Sequence, residues 1–135
     1  MNWKDPLFVA QLLALLFFTV LFLQSGIDKL VDFKGNRDYF NDHFSSTWLG
    51  KMVPLLLPMI TLIEFAAGLG CAFGAVSLFL PGFDFAPTLG LAIAGLALVS
   101  LFAGQRINKD YVGAHVIATY FGVLLFALFL TYYRI

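Results

Sequence analysis

Leu62-Ile63-Glu64-Phe65-Ala66-Ala67-Gly68-Leu69-Gly70 sits inside an apolar run that extends from Met52 to Leu80. As a helix, a run of that length crosses a hydrocarbon layer of about 30 Å, and this reading decides the fold. Glu64 lies roughly 15 Å along such a helix, near mid-bilayer depth. A carboxyl group there is costly, so two readings are open. Either Glu64 is protonated, hydrogen-bonded to a neighbouring helix and only holds a bundle together, or it belongs to a proton, quinone or ion site.

The composition agrees with a membrane chain. Of 135 residues, 61% are hydrophobic and 17% aromatic, and the mean hydropathy is +0.90. Only 12% are charged, against about 25% in soluble domains. Eight Lys and Arg balance eight Asp and Glu, so no net charge points to nucleic acid or acidic partners, and the lipid bilayer is the first partner. Cys71 stands alone in the sequence, which excludes an intrachain disulfide or a Cys-x-x-Cys couple. It reads as a small packing residue.

Working outward, span one covers about residues 7–27, interrupted by Gln11, Thr19, Gln24 and Ser25. Lys4 precedes it, but the segment is long and lacks a small-x-small site, so it reads as a span rather than a cleaved signal peptide. It ends in Gln24-Ser25-Gly26-Ile27-Asp28-Lys29-Leu30, where Gln24 and Asp28 share one helix face and Ser25 and Lys29 another. The polar connection 31–51 follows. Asn36 is the expected N-cap of a short interfacial helix over about 36–49, with Phe40, Phe44 and Trp48 on one stripe. Trp48 is its anchor, and His43, among acids on the opposite side, reads as solvated.

Span two covers about 53–80, with Pro54 and Pro58 in its first turns and Gly68, Gly70 and Gly74 on a face that permits close helix approach. A tight turn at 81–87 leads to span three, about 88–103, whose small contact positions include Gly90, Ala94, Gly95, Ser100 and Gly104. Span four covers about 112–133. Ala114, Ala118 and Gly122 form a small-residue seam there, and His115, seven residues before Gly122, is expected to face it. Tyr132, Tyr133 and Arg134 read as an interfacial belt. The predicted fold is one all-α membrane domain over 1–135, an antiparallel four-transmembrane-helix bundle with a short interfacial helix between spans one and two.

In that topology Lys34, Arg37, Lys51, Arg106 and Lys109 lie on one side, and Lys4 and Arg134 on the other. The positive-inside rule puts segment 31–51 in the cytoplasm and both termini outside. The same topology gathers Gln24, Asp28, Lys29, Glu64, Arg106 and His115 into one half of the membrane. Pairing of Lys29 with Glu64 or Asp28 lowers the cost of burial. A structural ion-pair layer and a site with Glu64 and His115 as catalytic proton carriers both remain open. The chain has no metal-ligand cluster or glycine-rich nucleotide loop, and its two histidines make haem ligation an unexpected role. No metal or haem is expected on this chain alone.

The segment Leu21 to Leu30, the aromatic-rich connection, and Ile63-Glu64-Phe65-Ala66-Ala67-Gly68-Leu69-Gly70 resemble the best-marked parts of the DoxX family of small four-helix membrane proteins. Residue by residue, the resemblance marks Gly26, Lys29, Glu64 and Gly68. Many relatives carry an arginine in the first half of span one, where this chain has Gln11, so no role is carried over there. The resemblance implies a bacterial-type inner (plasma) membrane protein. It also implies an accessory subunit that anchors or supports a larger, respiratory-type redox complex through other membrane subunits. Among relatives are a subunit of a thiosulfate:quinone oxidoreductase and a membrane partner of superoxide dismutase. An alternative is a quinone- or sulfur-compound-linked oxidoreductase subunit with Glu64 exchanging protons and quinone as cofactor; a small transporter or channel is the weaker third.

Overall fold

The computed structural model describes residues 4–134, the side chain of Arg134 excepted. Its helices are α1 (Pro6–Val31), α2 (Phe33–His43), α3 (Val53–Ser77), α4 (Ala86–Ile107) and α5 (Tyr111–Arg134), with a short 3-10 helix over Trp48–Met52. No strand occurs among the described residues. Four segments are long and apolar enough to cross a membrane: Pro6–Val31, Trp48–Ser77, Ala86–Ile107 and Tyr111–Tyr133. Their outward faces are apolar too, with Leu13, Val20, Leu62, Leu69, Leu96 and Phe126 exposed. Helices that are apolar all round suit a lipid environment, as a multi-pass membrane protein requires.

The ends of the helices follow local chemistry. Asp5 caps α1 by accepting from the Leu7 amide at 3.0 Å, with Pro6 in the first turn, where its missing N–H costs nothing. The helix continues to Val31, beyond the expected end at Ile27. Asp32 then leaves helical geometry and accepts from the Gly35 amide at 3.2 Å, which starts α2 three residues before the expected position. Asn36 is therefore not the cap. Its amide nitrogen instead donates to the carbonyls of Asp28 and Asp32 at 3.2 and 2.9 Å and braces the corner.

The expected single helix over 36–49 is broken after His43. The Ser45 and Thr47 hydroxyls donate to the carbonyls of Asp42 and Phe44 at 2.8 and 3.2 Å, an alternative to continued helix that these residue types favour. The chain folds tightly here. A Cβ on Gly50 would lie 2.7 Å from the Phe44 carbonyl oxygen. α3 ends at Ser77, three residues short of the expected span, where the Ser77 hydroxyl donates to the Gly74 carbonyl at 2.6 Å. α4 runs on through Gly104-Gln105-Arg106-Ile107, beyond the expected end of span three at about 103. The link is shortened accordingly. Lys109 takes a left-handed φ of 58°, and Asp110 accepts from the Gly113 amide at 2.9 Å to begin α5.

Glycines set the close approaches. Gly26 on α1 faces the Phe65 ring of α3, Gly68 faces Leu23, and Gly74 lies against both Leu15 and Pro87. Gly70 on α3 meets Gly90 on α4 backbone to backbone, Gly95 of α4 meets Leu124 of α5, and the Phe17 and Tyr120 rings join α1 to α5 with centroids 6.1 Å apart. Leu15, Phe18, Phe22, Ala67, Cys71, Ala94, Leu98 and Leu124 fill the core between them.

On α5 the seam turns outward. Ala114 is buried, but Ala118, His115 and Gly122 are exposed, and nothing lies within 4 Å of a Cβ built on Gly122. A spacing of four residues advances a helix by about 400°, so each member is rotated roughly 40° from the one before. The inward face is carried instead by Leu124, Ala127 and Thr131. His115 and Gly122 do share a face, as their spacing requires, but it points away from the core.

Candidate functional site

The core holds one buried pair of opposite charges among the described residues. Lys29 Nζ, near the end of α1, donates to Glu64 Oε2 of α3 at 3.2 Å and to Ser25 Oγ one turn back at 2.8 Å. Glu64 Oε1 lies 3.1 Å from the same nitrogen but receives no hydrogen bond, so that contact is purely electrostatic. Lys29 is 8% exposed and Glu64 1%. The surrounding sequence explains how they meet. A Cβ on Gly26 would sit 3.0 Å from the Phe65 ring, and one on Gly68 would sit 2.9 Å from the Leu23 amide nitrogen. With hydrogen at both places the helices approach closely enough for the lysine stem to reach the carboxylate. Gly26, Lys29, Glu64 and Gly68 thus belong to one contact.

The other residues of the expected polar layer stay apart from it. Gln24 and Asp28 are exposed, because their face of α1 is about 100° from that of Ser25 and Lys29. Arg106 is exposed at the end of α4, its guanidinium 4.9 Å from the centre of the Tyr111 ring. His115 is exposed on α5. Glu64 and His115, the two candidate proton carriers, therefore share no site.

A polar cluster not anticipated from the sequence lies at the same end of the molecule. His43 Nε2 is 3.1 Å from Gln105 Oε1 and 3.3 Å from Asp110 Oδ2. Both partners accept, so the proton sits on Nε2 in this geometry. His43 is half-buried against the Tyr39 and Phe44 rings rather than solvated. This cluster fastens α2 to the end of α4 and to the link that follows it. A separation of 62 residues between His43 and Gln105 left no local signal for it.

Gln11 is the second unexpected polar residue. It is 2% exposed, and neither amide atom finds a partner among the described residues. Its distance from Lys29 is about 27 Å along α1. Between them lie Leu15, Phe18, Phe22 and Cys71, none more than 2% exposed, which form an apolar plug. Because an unsatisfied buried amide costs about 1–3 kcal/mol, Gln11→Met is expected to stabilise the protein by that order. Thermal unfolding in detergent measures it, and a lower melting temperature in the variant would show that the amide is satisfied.

A cavity of about 270 Å³ lies between α3 and α4, beneath Phe40 of α2 and Phe44 just after it. Glu64 and His115 do not line it. Among the described residues no group of three His, Cys, Asp or Glu side chains could hold a metal ion. No family model, curated protein or solved structure matches the chain. The DoxX resemblance thus rests on Gly26, Lys29, Glu64, Gly68 and the order of the spans.

Proposed function

We propose that the chain is an antiparallel four-span bundle that acts as a supporting subunit of a larger membrane redox assembly. Segment 31–51 is then cytoplasmic and both termini lie outside in a bacterial-type inner membrane. The antiparallel arrangement is supported by the order of contacts. Moving back along α1 from Gly26 to Leu15 corresponds to moving forward along α3 from Phe65 to Gly74. Gly70 and Gly74 of α3 likewise meet Gly90 and Pro87 of α4 in reverse order. The assembly class is supplied by the DoxX resemblance, and the charge distribution supplies the orientation.

One observation carries the supporting role over proton exchange at Glu64: the carboxylate is paired with Lys29, is 1% exposed and lines no part of the cavity. The plug of Leu15, Phe18, Phe22 and Cys71 disfavours a polar path through a single chain. α5 suits a neighbouring subunit. Only 17% of its apolar window is buried, against 39% for α4, and Ala118 and Gly122 on its open face permit a second helix to approach. His115 on that face is a costly group to leave in hydrocarbon and a good hydrogen-bond partner for such a helix.

Purification from the native membrane in mild detergent is expected to co-isolate a redox protein, and His115→Leu with Gly122→Leu is expected to release it. Recovery of the parent chain as a lone oligomer would contradict the proposal.

A further inference from the structure

We infer that the cavity between α3 and α4 holds part of the acyl chain of a membrane phospholipid, with α2 as its cover. Its volume of about 270 Å³ lies just below the roughly 300–1,000 Å³ of small-molecule pockets, room for a stretch of chain rather than a whole lipid. The walls are hydrocarbon: Leu56, Ile60 and Ile63 from α3 and Leu101 from α4, with Phe40 and Phe44 stacked above at 5.9 Å between ring centres.

The polar side chains in the wall are few, Ser100 and Gln105, and both are partly engaged. Ser100 Oγ donates to the Leu96 carbonyl at 2.8 Å, and Gln105 Oε1 faces His43 at 3.1 Å. A buried water needs two to four polar partners, and a ring bearing carbonyl groups needs donors. Its side chains offer one such donor, Gln105 Nε2, and too few partners to hold water. An alkyl chain needs none. A wall this poor in polar groups suits an alkyl chain better than a quinone head.

The opening also names the source. Met59, Ser100, Ala103 and Ile107 line the cavity and are exposed on the outer surface of two adjacent membrane-crossing segments. The cavity is therefore open sideways, toward the bilayer, while α2 closes it above. Exposed Lys51 lies between Leu49 and Val53, both of which line the cavity, and exposed Trp48 begins the same 3-10 helix. An ammonium group and an indole at the interface end suit a phosphate headgroup above the inserted chain. The His43 contacts with Gln105 and Asp110 keep Phe40 and Phe44 in place over it.

The test uses the full chain in vesicles of phosphatidylethanolamine and phosphatidylglycerol containing a phospholipid with a diazirine halfway along one acyl chain. After illumination, adducts are expected to concentrate on Leu56, Ile60 and Ala103. Ala103→Phe fills the cavity and should reduce the adducts on Leu56 and Ile60 severalfold while leaving those on exposed Phe126 of α5 unchanged. Ser100→Leu, a milder change at the exposed rim, should act in the same direction if Ala103→Phe does not fold. Adducts spread evenly over the exposed faces of all spans would overturn the inference. So would unchanged labelling in a folded cavity-filling variant, or preferential labelling of the same residues by a diazirine-bearing prenyl quinone.

Discussion

Lys29→Met is expected to destabilise the protein by about 3–5 kcal/mol, the usual consequence of leaving one member of a buried ion pair without its partner. Glu64 is 1% exposed and accepts its one hydrogen bond from Lys29. Without the ammonium, the carboxylate must either hold a charge in an apolar interface or take up a proton. The converse variant, Glu64→Leu, should cost less. Lys29 sits in the last turn of α1 with 10% of its side chain already exposed, so its stem can carry the ammonium toward the interface. Thermal unfolding in detergent, with circular dichroism as the signal, reads both losses. Equal losses in the two variants would show that neither group can relax.

Gly90→Ala should be nearly as damaging, at about 3 kcal/mol, the upper part of the range for overpacking. Its new methyl group would lie 2.5 Å from the Gly70 carbonyl oxygen and 2.8 Å from the Cys71 amide nitrogen. These are backbone atoms, so no side chain can turn aside and α3 and α4 must separate. Gly122→Ala provides the contrast, because a Cβ there meets nothing within 4 Å. Alanine is also the better helix former by about 1 kcal/mol. Melting temperatures of the two variants measured side by side should fall for the first and hold or rise for the second. A larger loss at Gly122 would place the small-residue seam inside the bundle after all.

The four apolar segments were legible because length and hydropathy are one-dimensional properties, and a bilayer tolerates few other solutions. The common depth of Lys29 and Glu64 was legible for the same reason, since counting residues along two spans gives it. The choice between Glu64 and Asp28 as the partner of Lys29 was not. It depends on which way α1 is rotated about its own axis, and an all-round apolar helix carries little information about that rotation. The same lack put His115 and Gly122 on the wrong side of α5, although their spacing correctly placed them together.

Helix ends were misplaced where side chains intervene. Asp32 rather than Asn36 begins α2, and the hydroxyls of Ser45 and Thr47 support the break after His43. The contacts of His43 with Gln105 and Asp110 join segments that only folding brings near each other. Gln11 shows the limit from the other direction. As one amide in an apolar span it reads as an interruption, and only the packed structure reveals its isolation.

The most direct test of the role assigned to the buried pair is the thermal stability of Lys29→Met combined with Glu64→Leu, compared with the parent and each single variant. If the pair's work is to hold α1 against α3, apolar side chains of similar size can do the same, and the double variant should melt close to the parent and well above Lys29→Met. A double variant whose loss equals the sum of the two single losses would contradict the account.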